Sequence, residues 1–374
     1  MTRPTRLANV AIAAVAVLLA LAATELVVRR LVPPIEGYYV IAPGTSWRVV
    51  STGADGRPHT TQFHVNRDGL RGRPVPGDST EYRLLAIGGS TTECGGLDDS
   101  VVWTHLVETG LTLHRGSAVW VGNAGKDGST TRDHVLHLRY LLRQYPHMNA
   151  VIALVGVNDM LSALRRGSSD AAPAPSTEAE LHHAFAVVPA RAAHWYQRTG
   201  LWRLARRLWH SHQSYDVRER ATSGLAQARA RRAKLGATVD SLPRLTSAIA
   251  EFTRNLNEMI NLADVAGARL VLVTQPTVWR DRMSASEQAR LWFGWIGADW
   301  RDTRAYYTTG ALARAMALYN QALLDVCKRR ALSCIDAAPI IPRDSAVFVD
   351  DMHLTERGSR LLAGALVTTF PFRF

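Results

Sequence analysis

Apolar runs that stop abruptly at glycine, serine or asparagine set the tightest limit on how this chain folds. Residues 82–87 run into Gly-Gly-Ser, 118–121 into Gly-Asn-Ala-Gly and 150–155 into Gly-Val-Asn-Asp. Residues 269–273 form a fourth run, ending in Thr-Gln-Pro, and 333–335 a shorter fifth ending in Asp. Helical stretches at 103–113, 132–144, 245–266 and 311–330 lie between them. Runs without polar alternation belong to strands buried on both faces, and their alternation with helices predicts an α/β fold with a parallel sheet. Sites in such sheets form at the carboxyl ends of the strands, so the polar residues there are the candidates for chemistry.

Composition agrees with one large domain carrying insertions, or with two domains. At 374 residues, 47% hydrophobic, 20% charged and with 3 Cys, the chain is not a disordered, collagen-like or disulfide-framework protein. Its net charge is +12, yet only Lys126, Lys234 and Lys328 are lysine among 44 basic residues. No basic-aromatic RNA motif, zinc-finger spacing or leucine zipper accompanies the charge, so no nucleic-acid partner is expected. His182 and His183 are adjacent and lack a third ligand, and no phosphate loop or dinucleotide fingerprint occurs. Neither metal nor cofactor is expected.

The N-terminus bears on the compartment. Arg3 and Arg6 precede an apolar stretch, 7–24, that extends through Leu26-Val27-Val28 if Glu25 is tolerated. Eighteen residues span about 27 Å, near the lower limit for a bilayer. Residues 1–30 read as a single-pass membrane anchor, with the rest of the chain outside the cytoplasm, periplasmic where an outer membrane exists. The rival is a signal peptide cleaved near Ala20-Leu21-Ala22, which would release a secreted protein. Cys327 and Cys334 flank a short basic stretch and either form a disulfide or pack as two small buried residues. Cys94 reads as packing.

Residues 31–80, rich in Pro and Gly with strand-like runs at 47–50 and 62–65, read as a β-rich extension leading to a catalytic domain at 81–374. Segments at about 161–242 and 278–307 break the alternation and look like insertions. The first carries Trp195, Trp202 and Trp209 at intervals of seven, which a continuous helix would align on one face. Such a stripe packs the insertion onto the domain, or forms an aromatic wall that binds substrate or lies against lipid. Arg191, Arg198, Arg203, Arg206 and Arg207 surround it, either as a solvated face or as a lure for an anionic glycan or lipid head group. Trp292, Trp295 and Trp300 fall in the second insertion.

Four signals stand in order at the strand ends and near the C-terminus: Gly88-Gly89-Ser90-Thr91-Thr92, Asn123 to Thr130, Gly156-Val157-Asn158-Asp159, and Asp350-Asp351-Met352-His353. Together they resemble the SGNH subgroup of the GDSL hydrolases over about 200 residues from Tyr82 onward, excluding the insertions. The resemblance implies a three-layer α/β/α sandwich, a nucleophile at Ser90, an oxyanion hole from Ser90, Gly128 and Asn158, and Asp350 with His353 completing a triad. The family's Gly-Asp-Ser is Gly-Gly-Ser here, with Gly89 replacing the acid. Asp159 is expected to be a structural partner for its loop.

The chemistry is consistent with those roles. A serine hydroxyl needs a base within hydrogen-bond reach, an imidazole near neutrality can supply one, and a carboxylate one turn away can hold its tautomer. The expected activity is that of a serine esterase removing acyl groups from a cell-envelope glycan or lipid. Two alternatives remain: an O-acyltransferase that modifies an envelope polysaccharide with the same triad, and a non-catalytic glycan-binding or scaffold protein.

Overall fold

The computed structural model describes residues 6–32, 34, 37–52, 58–77, 80–167, 177–189 and 194–371. Arg3 and Arg191 lie outside them, as do the side chains of Arg6, Arg207 and Trp209. The first elements are α1 (Arg6–Leu31), the ribbon β1 (Ser46–Thr52) and β2 (Pro58–His64), then β3 (Tyr82–Gly88), α2 (Ser90–Glu93), α3 (Trp103–Arg115) and β4 (Val119–Gly125). There follow α4 (Thr131–Gln144), β5 (Ala150–Leu154), α5 (Val157–Arg166), α6 (Thr177–Ala184) and the long α7 (Gly200–Leu235). The remainder is β6 (Thr238–Val239), α8 (Thr246–Val265), β7 (Arg269–Val273), α9 (Ala285–Gln288), β8 (Tyr306–Tyr307), α10 (Thr309–Arg329) and α11 (Glu356–Thr369).

These elements fall into two compact units, Met1–Gly37 with Val188–Gly224, and Tyr38–Val187 with Leu225–Phe374. In the first, α1 is apolar all round. Ala8–Leu31 has a mean hydropathy of 2.5 and is the one helix among the described residues long and apolar enough to cross a membrane. Trp195 sits on a separate 3-10 turn, Trp195–Arg198, and α7 begins only at Gly200. The sevenfold spacing of Trp195, Trp202 and Trp209 therefore does not run along one continuous helix. Thr199 stands between the two with extended backbone, its N–H bonded to the Tyr196 carbonyl, and ends the first turn before α7 starts.

The second unit is built on a parallel sheet of order β4-β3-β5-β7. Leu84, Leu85, Ala86 and Ile87 of β3 are wholly buried, as are Val151, Ile152 and Ala153 of β5, as unbroken apolar runs require. Helices cover the sheet in two groups, α3 with α11, and α4 with α8, α10 and α5. Their ends follow local chemistry. Thr130 and Asp133 form a capping box for α4, Thr308 and Thr355 cap α10 and α11, and Gly116 ends α3 in the left-handed region.

The fifth strand expected at 333–335 reduces to one parallel bridge, Ile335 to Val273. Ile335 bonds Leu272 and Thr274 through its backbone, but the Ala337 N–H then turns back to the Ile335 carbonyl and ends the pairing. Just before it, Cys327 and Cys334 are joined in a disulfide, Cα to Cα 6.1 Å, which closes the reversal after α10. The described residues of 38–80 belong to this unit. Trp47 of β1 stacks on Phe63 of β2 at 3.7 Å, and Arg71 pairs antiparallel with Asn123 at the edge of β4.

Candidate active site

Ser90 opens α2, the four-residue helix that β3 runs into directly after Gly88-Gly89. As the first residue of a helix its N–H has no intrahelical acceptor and stays available. Its hydroxyl lies 2.8 Å from His353 Nε2, and His353 Nδ1 lies 2.8 Å from Asp350 Oδ2 and 2.9 Å from Oδ1. Asp350 Oδ1 also accepts the N–H groups of Met352 (3.1 Å) and His353 (3.0 Å), so the loop before α11 folds around the carboxylate and fixes the three-residue offset. Ser90, His353 and Asp350 thus form one continuous hydrogen-bonded relay.

The relay's electrostatics follow from its burial. Desolvation opposes charge on both partners, yet each stabilises the other. Burial pushes the Asp350 carboxyl up, but the His353 charge and the backbone donors outweigh it and hold the group below the usual carboxylate range. Burial pulls the His353 imidazole down, but Asp350 outweighs that and raises it to about 9. The Cys94 thiol is pushed up to about 12 by burial, which outweighs the nearby Arg71 charge, and is inert packing.

Asn158 sits in the first turn of α5 and donates from Nδ2 to the Ser129 carbonyl at 2.9 Å, leaving its second amide hydrogen uncommitted to that bond. The same amide explains Gly89: a Cβ there would meet Asn158 Nδ2 at 2.4 Å. Gly128, at φ +74, holds a left-handed backbone that presents the loop after β4 without a side chain. Asp159 follows Asn158 in the first turn of α5. It accepts from the Thr131 backbone and hydroxyl, and burial raises its carboxyl to about 7. It is a loop partner, as expected.

Three residues that the sequence motifs do not single out hold this arrangement. Arg71, 3% exposed, donates Nη1 to the carbonyls of Glu93 and Cys94 (2.8 Å each) and Nη2 to that of Leu97 (2.5 Å), while Nε meets Asp99 at 2.6 Å. It therefore caps the loop leaving α2. Glu93 accepts the Asp127 N–H at 2.5 Å and so ties α2 to the Gly128 loop; burial, then the Asp127 charge, raises its carboxyl to about 7. Trp292 donates its indole N–H to Asp350 Oδ2 at 3.1 Å. Its segment is bolted down by the neighbouring Asp351, which accepts from Trp279 Nε1 (2.8 Å), Trp292 N (2.9 Å) and Phe293 N (3.2 Å). Burial and the adjoining Asp350 charge raise Asp351.

A cleft of about 710 Å³ opens beside Gly128 and Asn158. One wall is aromatic: Trp292 packs on Phe293 at 3.8 Å and on Trp295 at 6.1 Å, and the Arg165 guanidinium lies 3.9 Å over the Trp295 ring. Of the candidate substrate-binding residues, Trp195, Trp202 and Trp209 belong to the first unit, whereas the relay, the Gly128 loop, Asn158 and this cleft belong to the second. Among the described residues no group of three or more His, Cys, Asp or Glu could hold a metal ion.

Comparison with known proteins gives three results. The model of the GDSL-like lipase/acylhydrolase family matches residues 86–361. No curated protein sequence matches the chain. Similar solved structures include the acetylxylan esterase Axe2 from Geobacillus stearothermophilus, 13% identical with a TM-score of 0.43 over 79% of this chain and 98% of that one. A lipolytic protein of the G-D-S-L family from Veillonella parvula is 12% identical, with a TM-score of 0.41 over 77% and 97%. LAE5, an α/β hydrolase from the metagenome of Lake Arreo, Spain, is 14% identical, with a TM-score of 0.42 over 77% and 94%.

Proposed function

The chain belongs to the GDSL-like lipase/acylhydrolase family and is an ester-hydrolysing enzyme, and from that premise we propose that Ser90 is its nucleophile, with His353 as base and Asp350 as the base's partner. The observation that carries this is the unbroken relay of 2.8 Å contacts from Ser90 through His353 to Asp350. Ser90 Oγ attacks the acyl carbon while its proton passes to His353 Nε2. The oxyanion is received by the N–H groups of Ser90 and Gly128 and by the Asn158 amide; one such donor is worth about 3–4 kcal/mol in the transition state. Collapse expels the alcohol, protonated by His353, and leaves an acyl-serine. Water then gives a proton to His353 and attacks the acyl carbon; as the acyl–Oγ bond breaks, His353 returns that proton to Ser90 Oγ, releasing the acid and free Ser90.

The substrate in this reading is an acyl ester on a cell-envelope glycan. The cleft is far larger than a short acyl group needs, and its wall of Trp292, Phe293 and Trp295 offers flat faces on which sugar rings stack. The apolar α1 anchors the chain in the membrane with the catalytic unit outside the cytoplasm, where the Cys327–Cys334 disulfide persists.

The test is hydrolysis of p-nitrophenyl acetate and of an O-acetylated glycan by the full chain in detergent, wild type against Ser90→Ala, with a fluorophosphonate label on both. Loss of at least about 1,000-fold in kcat with labelling of the wild type alone is expected. Equal activity in both proteins would remove Ser90 as the nucleophile. Acetyl transfer to an added sugar outrunning hydrolysis would make the enzyme an O-acyltransferase with the same relay.

A further inference from the structure

Within the first unit, α1 carries an acid where an apolar helix tolerates one poorly. Glu25 lies six residues before the end of the span Ala8–Leu31, about 9 Å inside it at 1.5 Å per residue. A carboxylate at that depth needs partners of its own. It has them: Oε1 accepts the Gly200 N–H at 2.6 Å and Arg29 Nε at 2.6 Å, and Oε2 accepts the Leu201 N–H at 3.0 Å. Two of the four orphan donors at the start of α7 are thereby satisfied by a side chain of α1.

The contact is close. A Cβ on Gly200 would come within 2.7 Å of the Arg29 nitrogen, so only glycine lets the two backbones meet here. Arg203 adds a bond from Nε to the Val32 carbonyl at 2.9 Å. Val28 and Val32 are each 8% exposed, whereas Leu26 and Leu31 are 67% and 72% exposed. The segment 194–203 is thus fastened to the last turns of the apolar helix.

That segment also presents a cluster of aromatic rings to the outside. Trp195 is 81% exposed, Trp202 41% and Tyr196 39%, and Tyr196 meets both indoles edge-on at 6.1 and 5.2 Å. Exposed indoles beside arginines, at the end of an apolar span, have the composition of a membrane–water boundary, where amphipathic rings sit at headgroup level and guanidinium groups meet phosphate. Such rings leave water and enter the layer that already covers the adjoining helix.

We propose that the last turns of α1 and the segment from Trp195 to Arg203 form one lipid-facing collar, with Trp195, Tyr196 and Trp202 in the headgroup layer of a phospholipid bilayer and Arg29, Arg30 and Arg198 on lipid phosphates. The proposal rests on α1 spanning the membrane. It gives the insertion at about 161–242 a role: it brings the chain back to its own anchor, with Glu25 as the fastener. It also reassigns the first two tryptophans of the sevenfold series from a substrate wall to the bilayer surface.

The test reconstitutes the full chain in vesicles of phosphatidylcholine and phosphatidylglycerol carrying acyl chains brominated close to the headgroup. Quenching of tryptophan emission is compared between wild type and Trp195→Phe/Trp202→Phe. A bimane on Trp195→Cys gives a second readout at an exposed position that tolerates substitution. Quenching that falls by about half in the double variant, with a blue shift of the bimane on reconstitution, is the expected result. A chain that floats with the vesicles after alkaline extraction, yet shows unchanged quenching in the variant and no bimane shift, overturns the collar and leaves the anchor standing. A chain that alkaline extraction strips from the vesicles overturns the anchor and the collar with it.

Discussion

At the scale of single residues, the charge on Asp350 sets the working range of His353 as the proposed base. His353 is raised to about 9 by that carboxylate, and only the neutral imidazole can take the Ser90 proton. The expected outcome is a kcat/KM that rises with pH and levels off near about 9, read from a pH–rate profile with an uncharged ester. Stability follows the opposite sign: a base raised in the folded state contributes stability fully present below its unfolded value near 6.5, and lost as pH climbs through about 9. Trp292 draws on the same carboxylate through its indole N–H. Trp292→Phe removes that donor, concentrates the Asp350 charge on His353 and moves the acid limb to higher pH, with kcat down about tenfold. Replacing the indole by benzothienylalanine, which keeps the shape and lacks the N–H, separates this from mere packing: it reproduces the pH shift while leaving KM for the glycan ester close to wild type.

At the scale of elements, the sheet and its helices were legible because their signals are local. Runs such as 150–155 show burial on both faces in their own composition, and the strand-end rule then marks the polar residues at those ends, among which the resemblance to the SGNH subgroup singles out Ser90, Gly128 and Asn158. Arg71 was not legible. Its guanidinium serves carbonyls 22, 23 and 26 positions along the chain, and backbone acceptors leave no mark in a sequence. Trp292 was equally hidden, since its partner Asp350 stands 58 positions on and nothing near Trp292 hints at a carboxylate. The 3-10 turn that separates Trp195 from α7 depends on Thr199 and on the Glu25 clamp, a contact across 175 residues that periodicity cannot register. Arg71→Ala takes the guanidinium donor from the carbonyls of Glu93, Cys94 and Leu97, of which Cys94 keeps the Leu97 N–H. A loss of about 3 kcal/mol in denaturant unfolding is expected, together with reduced kcat as Ser90 loses its fixed turn. An unchanged midpoint would mean that water replaces the guanidinium without cost.

At the scale of the molecule, the disulfide lies in the second unit, at the end of α10, and closes a loop with a sequence separation of 7. Loops of this size gain about 2 kcal/mol from cross-linking, so reduction is expected to lower the thermal midpoint by several degrees while leaving kcat near its oxidised value at 25 °C. Differential scanning with and without reductant reads the first, and ester hydrolysis the second.

Ser90 and His353 are 263 positions apart, joined only when the sheet between them has closed. For a chain delivered through a translocon N-terminus first, the hydroxyl emerges early and waits, unarmed, for nearly three-quarters of synthesis to follow. The order of residues along the polymer thus serves as a timer: in the proposed reading, the hydroxyl gains its base only after the whole sheet has been made.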